Sequence, residues 1–174
     1  MSFLIYPHAF DMGHLHFGTA VQNNDDASDS NFSRIIYSTK HISFNGLGVV
    51  MNLSGAKNEQ HYNKMFMLFD PALPTNQMLV SQLHDIECKI INKYVDSVLG
   101  GARRCIHSLT DQLNSGCIKA YVNDHSGSGG GTNHVTASGA NPIINANGGH
   151  LMLKICGVWE TNDDCGITYK FIKC

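Results

Sequence analysis

A closing β-hairpin in the last quarter of the chain constrains the fold more than any other feature. Two strand-like runs within residues 150–174 flank a polar turn that contains Asn162, Asp163, Asp164 and Gly166. Asn, Asp and Gly are the residues that hairpin turns favour, since they tolerate the backbone angles of tight turns. The segment therefore predicts two long antiparallel strands that end the domain.

Side-chain alternation assigns the two faces of this hairpin. If Glu160 pairs with Gly166, one face of the hairpin collects Leu153, Ile155, Gly157, Trp159, Ile167, Tyr169 and Phe171. Lys154 and Lys170 fall on the other face, as near-diagonal neighbours. The pattern predicts an apolar inner face, with Trp159 in the core, and an outer face that carries lysine.

The rest of the sequence predicts further strands and one long helix. Period-2 patterns predict strands within residues 14–21, 32–38, 41–53, 62–69 and 117–122. Apolar residues at spacings of three and four predict a helix with Thr75 as its N-cap, namely Leu79, Leu83, Ile86, Ile90, Tyr94 and Val98. Gly100 and Gly101 end it. A shorter helix is predicted at about residues 104–113, and the Gly/Ser/Asn-rich stretch 123–149 is a long insertion between strands.

This order predicts a mostly β fold with one long helix, of the α+β class. A helix between the third and fourth strands of a small barrel is the plan of an OB-fold. A generic α+β sandwich fits the same order of elements. With 174 residues and no evident linker, the prediction is a single domain over 1–174.

Composition excludes several classes of protein. Twelve Lys and Arg against 14 Asp and Glu give a net charge of −2, so nucleic-acid binding requires a locally sorted basic patch. No secretory signal and no membrane-spanning run is recognisable, so no membrane partner is predicted. The six cysteines form no C-x-x-C pair, and free thiols in a reducing compartment are expected.

Neither catalysis nor a metal site is predicted. The sequence SGSGGGTNH lacks the Lys-Ser/Thr of a phosphate loop, and no G-x-S-x-G or H-E-x-x-H motif occurs. The ten histidines are scattered. His14 and His16 share one face of a strand, but no third ligand is evident beside them. The prediction is a protein that is not an enzyme and that needs no cofactor or metal.

Binding of single-stranded nucleic acid agrees better with the sequence. Such proteins stack bases on aromatic rings and follow the backbone with Lys or Arg, without requiring a high overall charge. The candidate residues are Arg34, Lys40, Tyr62, Lys64, Phe66, Lys119, Tyr121, Lys154 and Lys170. Strands 32–38 and 62–69 would form the ligand face of an OB barrel. The alternative interpretation is that the aromatic residues fill the core and the charges form a solvated rim.

Self-assembly is a second possible function. A near-neutral chain with a long Gly-rich arm, including Gly129, Gly130 and Gly131, suits a lattice or shell subunit. Cys174 is positioned to cross-link subunits in an oxidising setting.

The stretch LKICGVWETNDDCGITYKF resembles a C-terminal pattern, L-K-I-x-G-[IV]-W-E…G-[LI]-x-[YF]-K-F, of small proteins of large eukaryotic DNA viruses. Some of these proteins are regarded as single-stranded DNA-binding proteins of the phage T7 type, which have an OB-fold with a helix before its last strands. The matching positions are Lys154, Gly157, Trp159, Glu160, Gly166, Tyr169, Lys170 and Phe171.

The resemblance implies a viral protein that coats single-stranded DNA during replication, without a cofactor. The host nucleus or a cytoplasmic viral factory would be its location, and a homo-oligomer is expected. The alternative function is a structural subunit derived from such a fold, in an occlusion body, a capsid or a virion cement layer.

Overall fold

The computed structural model of the protein describes residues 4–22, 30–61, 64–122 and 149–173. Two α-helices lie in these residues, α1 (Pro74–Tyr94) and α2 (Ser108–Asn114). The strands are β1 Leu4–Ile5, β2 Leu15–Phe17, β3 Val21–Gln22, β4 Asn31–Ser38, β5 Ser43–Asn45, β6 Leu47–Leu53, β7 Lys57–His61, β8 Lys64–Leu68, β9 Arg104–Ile106, β10 Cys117–Val122, β11 Gly149–Glu160 and β12 Asp164–Lys173.

The predicted closing hairpin is confirmed as the antiparallel pair β11–β12, which forms the centre of the sheet. Leu153 pairs with Phe171 and Ile155 with Tyr169, as the alternation requires if these side chains share a face. Leu153 and Ile155 are fully buried and Phe171 is 1 % exposed. The face that carries these three residues is called the inner face below, and the opposite face is called the outer face.

A β-bulge at Cys156 corrects the predicted position of Trp159. The register shifts between Ile155 and Gly157, so Val158 becomes the buried inner residue and Trp159 lies half-buried on the outer face. The extra residue of a bulge reverses the alternation that follows it, which a strict period of two does not anticipate. Consequently, Trp159 is paired with Gly166, whereas Glu160 pairs with Cys165.

Gly157, directly after the bulge, lies in close contact with β4. A Cβ at this position would overlap the Phe32 ring and the Ser33 carbonyl of β4. Only glycine lets β4 approach the end of β11 this closely. β11 therefore pairs with β6 along Gly149–Ile155 and then with β4 along Gly157–Glu160.

The remaining strands extend the sheet on both sides of the hairpin. The path of hydrogen-bonded neighbours is β1-β6-β11-β12-β10-β8-β7, and β4 carries β2, β3 and β5. β10 and β9 both run parallel to β12, at its two ends. The predicted strand 14–21 is two short strands, β2 and β3, each paired with β4.

The long helix is confirmed, with a shifted start. Leu73 occupies the N-cap, and Pro74 is the first helical residue, a position at which the missing N–H of proline costs nothing. Thr75 is therefore not the cap. The predicted apolar residues Leu79, Leu83, Ile86, Ile90 and Tyr94 are buried, whereas Val98 is 45 % exposed. It lies in a π-helical turn, Val95–Leu99, which Gly100 ends with a left-handed φ of 59°.

Helix α1 covers the inner face, and the apolar side chains between them form one continuous core. At the end of the helix, the Tyr94 hydroxyl forms a hydrogen bond of 2.8 Å with Ser33 of β4. Burial raises the pKa of Tyr94. The predicted second helix begins only at Ser108, because Arg104–Ile106 forms β9 beside β12.

The fold is thus mostly β with one long helix, of the α+β class, as predicted. The long helix, however, follows the eighth described strand rather than the third. Neither described helix combines the length and the apolar character needed to cross a membrane. The five described cysteines are free, and only Cys165 is fully buried.

The bulge leads to a testable expectation about stability. We expect Phe171→Ala to lower the free energy of unfolding by about 3–5 kcal/mol, because it empties part of the core. Trp159→Ala should lower it by only about 1–2 kcal/mol, because its ring lies on the outer face over Gly166 and keeps part of its surface in water. Urea unfolding followed by circular dichroism measures both. An equal loss for the two variants would mean that Trp159 is a core residue after all.

Candidate nucleic-acid interface

Cations from four neighbouring strands form a row across the outer face. The row consists of Arg34 on β4, Lys154 on β11, Lys170 on β12 and Lys119 on β10, and is called the basic row below. Adjacent strands lie about 4.8 Å apart, so the row spans about 15 Å of the sheet. The sheet order, and not the order of residues along the chain, brings these cations together.

Two lysines of the row lie directly opposite each other. Lys154 and Lys170 are cross-strand partners in the β11–β12 ladder, rather than the diagonal neighbours that the sequence predicted. Like charges in directly opposite positions destabilise an antiparallel pair. An anion bound between them would relieve this repulsion.

β10 adds a lysine and an aromatic ring beside this pair. Lys119 and Tyr121 alternate with the buried Ile118 and Ala120, so both point to the outer face. The Lys119 Nζ atom lies 5.5 Å from the centre of the Tyr121 ring, which is a cation–π distance. Tyr121 is 52 % exposed, so much of its ring is accessible from solvent.

A cleft opens between β10 and β12, which pair only over their last three residues. It is lined by Gln112, Lys119, Tyr121, Tyr169, Lys170 and Phe171. The Tyr169 hydroxyl donates to Gln112 Oε1 at 2.8 Å and lies 2.9 Å from the Ser108 carbonyl, so α2 holds this wall of the cleft in place. Burial raises the pKa of Tyr169. The cleft therefore combines a rigid polar wall with two cations and an exposed ring.

A second cleft lies at the other end of the basic row. Phe32, Arg34, Asn45, Lys154 and Cys156 line it. The bulge at Cys156 and the close approach of β4 at Gly157 create this concavity. Arg34 and Lys154 thus share one cleft, and Lys119 and Lys170 share the other.

The basic row is not neutralised by acidic side chains of the described residues, where none of its four cations forms an ion pair. Two other described cations are paired with carboxylates. Lys89 contacts Asp85 at 2.7 Å, and Arg104 contacts Asp164 at 2.6 Å and lowers the pKa of that carboxyl group. Although the net charge is −2, these four cations lie together on one face of the sheet.

Phe66 extends the face beyond the basic row. It pairs with Lys119 across the β8–β10 ladder, and Glu59 of β7 is its partner on the other side. Phe66 is half-buried on the outer face. An aromatic side chain therefore lies next to each side of Lys119, namely Tyr121 along β10 and Phe66 across the ladder.

Most predicted binding residues that the structure describes share this face, namely Arg34, Phe66, Lys119, Tyr121, Lys154 and Lys170. Lys40 does not, because it lies two residues beyond the end of β4, in the turn to β5. Lys64 is the first residue of β8. Tyr62, Gly129, Gly130, Gly131 and Cys174 lie outside the described residues.

The predicted pairing of ligand strands is wrong. Strands 32–38 and 62–69 are not neighbours, because β11, β12 and β10 lie between β4 and β8. The partner of β8 on this face is β10. Parity within a strand identifies which residues face outward, but it carries no information on which distant strand lies alongside.

A separate cluster of possible metal ligands was not predicted from the sequence. His84, Cys88 and His107 bring ligand-type atoms within 4.8 Å of one another where α1 meets the start of α2. The spacing of His84 and Cys88 on a predicted helix was the available signal, since residues four apart share a helix face. His107 is distant in sequence and joins them only through the packing of α2 on α1.

Comparison with protein-family models, with curated proteins and with solved structures found no match to this chain. Its function therefore has to be inferred from its own residues and geometry.

Proposed function

We propose that the protein binds single-stranded DNA without catalysis, along the outer face of an OB-type barrel. The observation that carries this proposal is the basic row itself: four cations that form no ion pair with any described residue, with Phe66 and Tyr121 beside Lys119. Single-strand binders combine a positively charged track with aromatic platforms in this way.

The strand pairing supports an OB-type barrel. β6 and β7 are separated by a short turn at residues 54–56, so we treat them as two halves of one bent strand. The first half pairs with β11 and the second with β8. The resulting order, β6/β7-β8-β10-β12-β11 and back to β6, has five strands and a single parallel pair, β10–β12. These features agree with a five-stranded Greek-key barrel.

A contact between β11 and β8 agrees with closure of the sheet into a barrel. A Cβ added to Gly149 of β11 would overlap Met67 Sδ of β8, although β12 and β10 lie between these strands in the sheet order. Side chains from strands so far apart in a sheet meet when the sheet curls onto itself. The long helix would then connect the second and third barrel strands, and the Gly-rich insertion would connect the third and fourth.

The barrel assignment bears directly on binding. In OB-folds, the face formed by the second and third strands receives oligonucleotides. Here those strands would be β8 and β10, which carry Phe66, Lys119 and Tyr121. The bases would stack on the two aromatic rings, and Lys119, Lys154 and Lys170 would contact phosphates, which relieves the repulsion between the paired lysines.

The direct test is a fluorescence-anisotropy titration of a labelled oligo-dT of about 20 nucleotides, with light scattering on the same sample. Binding should weaken steeply between about 50 and 200 mM salt, because phosphate contacts release condensed counterions. Tyr121→Ala should weaken binding by about 5- to 150-fold, the equivalent of about 1–3 kcal/mol for one stacked base.

Tyr6→Ala is the matched control, since Tyr6 is 60 % exposed and belongs to no part of the outer-face track. It should bind like the unmodified protein. Absence of binding at about 50 mM salt, or equal losses for the two tyrosine variants, would contradict the proposed site.

Viral origin, action at replicating DNA in a nucleus or viral factory, and homo-oligomer formation remain part of the proposal. The assembly alternative depends on Gly129, Gly130, Gly131 and Cys174, which lie outside the described residues. Large ordered particles that form without DNA, together with no oligonucleotide binding, would favour that alternative.

A further inference from the structure

The cluster at the α1–α2 junction has the residue types of a transition-metal site. His84 and Cys88 lie one turn apart on α1, and His107 immediately precedes α2. Two imidazoles and one thiol form a donor set that suits zinc, which prefers nitrogen and sulfur ligands. His84 is exposed, and Cys88 and His107 are half-buried, so an ion has access to the cluster.

The two sulfur–nitrogen distances fit tetrahedral coordination. Cys88 Sγ lies 3.5 Å from His84 Nε2 and 3.9 Å from His107 Nδ1. Zinc–sulfur bonds of about 2.3 Å and zinc–nitrogen bonds of about 2.0–2.1 Å separate sulfur and nitrogen by about 3.6 Å in a tetrahedron. Movements of a few tenths of an ångström would therefore bring both nitrogens to this distance from Cys88 Sγ, and the three donor atoms all lie within 4.8 Å of one another.

A hydrogen-bonded chain orients His84 for coordination. Thr110 donates its hydroxyl proton to Glu87 Oε2 at 2.6 Å, so this hydroxyl is left as an acceptor for His84 Nδ1 at 3.0 Å. With its proton on Nδ1, His84 presents the lone pair of Nε2 to Cys88. Metal-binding histidines commonly have their second ring nitrogen bonded to a polar partner in this manner.

Glu87 holds the other end of this hydrogen-bonded chain in place. It is fully buried, and its two carboxylate oxygens also accept from the backbone N–H groups of Leu109 and Thr110, each at 3.0 Å. Its Oε2 lies 3.9 Å from His107 Nδ1, which places negative charge next to a bound cation. The surroundings of the three donors are therefore rigid and electrostatically favourable.

We propose that His84, Cys88 and His107 bind one zinc ion, with a fourth position left to water or an external ligand. This site does not depend on DNA binding, because it lies on α1 and the residue before α2 rather than on the strands of the basic row. Bound zinc would link α1 to the start of α2. Burial, together with the nearby Glu87 and Asp85 carboxylates, raises the pKa of the Cys88 thiol, so zinc displaces a proton when it binds.

Cobalt(II) titration of the reduced, chelator-treated full-length protein tests the site. We expect one cobalt per chain, a sulfur-to-cobalt charge-transfer band in the near ultraviolet and the intense visible bands of tetrahedral cobalt. Zinc should displace the cobalt and raise the Tm, because a ligand that binds only the folded state stabilises it.

Cys88→Ala should abolish the charge-transfer band, and His107→Ala should weaken cobalt binding at least about 10-fold. Cys117→Ala is the matched control, since this thiol is also free and half-buried, and it should leave the spectrum unchanged. Circular dichroism of the metal-free variants verifies that they fold. A charge-transfer band that persists in folded Cys88→Ala, or no cobalt binding by the unmodified protein, would overturn the proposal.

Discussion

Replacing Lys119, Lys154 and Lys170 together by glutamate is expected to lower the affinity for oligo-dT by about two orders of magnitude. Cations near a polyanionic surface contribute on the order of 1 kcal/mol each, and about 1.4 kcal/mol corresponds to a tenfold change in affinity. The salt dependence should change as well. Each phosphate contact on a single strand contributes about −0.7 to the slope of log affinity against log salt, so losing three contacts should reduce the slope by about two.

The fold should tolerate this triple change. The three lysines are not ion-paired with any described residue, and glutamates at 154 and 170 would repel each other as the lysines do. Urea unfolding should therefore show nearly the same free energy of unfolding for the variant and the unmodified protein. A loss of binding with unchanged stability would assign the effect to the interface.

A second triple variant isolates the position of the charges from their number. Lys57, Lys89 and Lys173 are exposed and lie outside the basic row, and changing them to glutamate alters the net charge by the same amount. This control should lose far less affinity. If both triple variants lose affinity equally, binding reflects overall charge, and the proposed track is wrong.

Glu87→Ala is expected to lower the free energy of unfolding by about 3–5 kcal/mol. The buried carboxylate accepts from two backbone N–H groups at the start of α2 and from the Thr110 hydroxyl. Alanine would leave those donors unsatisfied in the core, and each such loss costs about 1–3 kcal/mol. Because α1 caps α2 through this one side chain, the change should also loosen the contact between the two helices.

Urea unfolding by circular dichroism measures this effect as a lower midpoint at an unchanged m-value. Asp85→Ala is the matched control on the same helix. Asp85 is exposed and, among the described residues, forms an ion pair with Lys89 alone, so its loss should cost about 0–1 kcal/mol. A Glu87→Ala cost no greater than that of Asp85→Ala would show that the start of α2 does not depend on this carboxylate.

The local patterns of the sequence were reliable where neighbouring residues decide the outcome. The apolar spacing of Leu79, Leu83 and Ile86 predicted the long helix, and the alternation of Leu153 and Ile155 predicted the inner face of the hairpin. Both patterns follow from the geometry of a single element. The alternation failed at Cys156, because a bulge lies where the partner of β11 changes from β6 to β4.

The candidate sites show the same difference between what a local pattern predicts and what tertiary packing decides. Lys119, Tyr121 and Lys170 were identified as candidates from residue type and parity within their own strands. Their meeting in one cleft depends on the parallel pairing of β10 with β12, which are about 50 residues apart in sequence. For His107 no local signal existed, because its approach to Cys88 depends entirely on how α2 packs on α1.

The sequence by itself determined the long helix, the closing hairpin and the core-facing side chains of each up to the bulge at Cys156, because periods of two and 3.6 residues express burial directly. Only the tertiary structure decided which strands adjoin, and hence that four cations lie in a row and that two histidines meet one thiol. Pairing between distant segments depends on the packing of the whole core, so a local pattern does not reveal it.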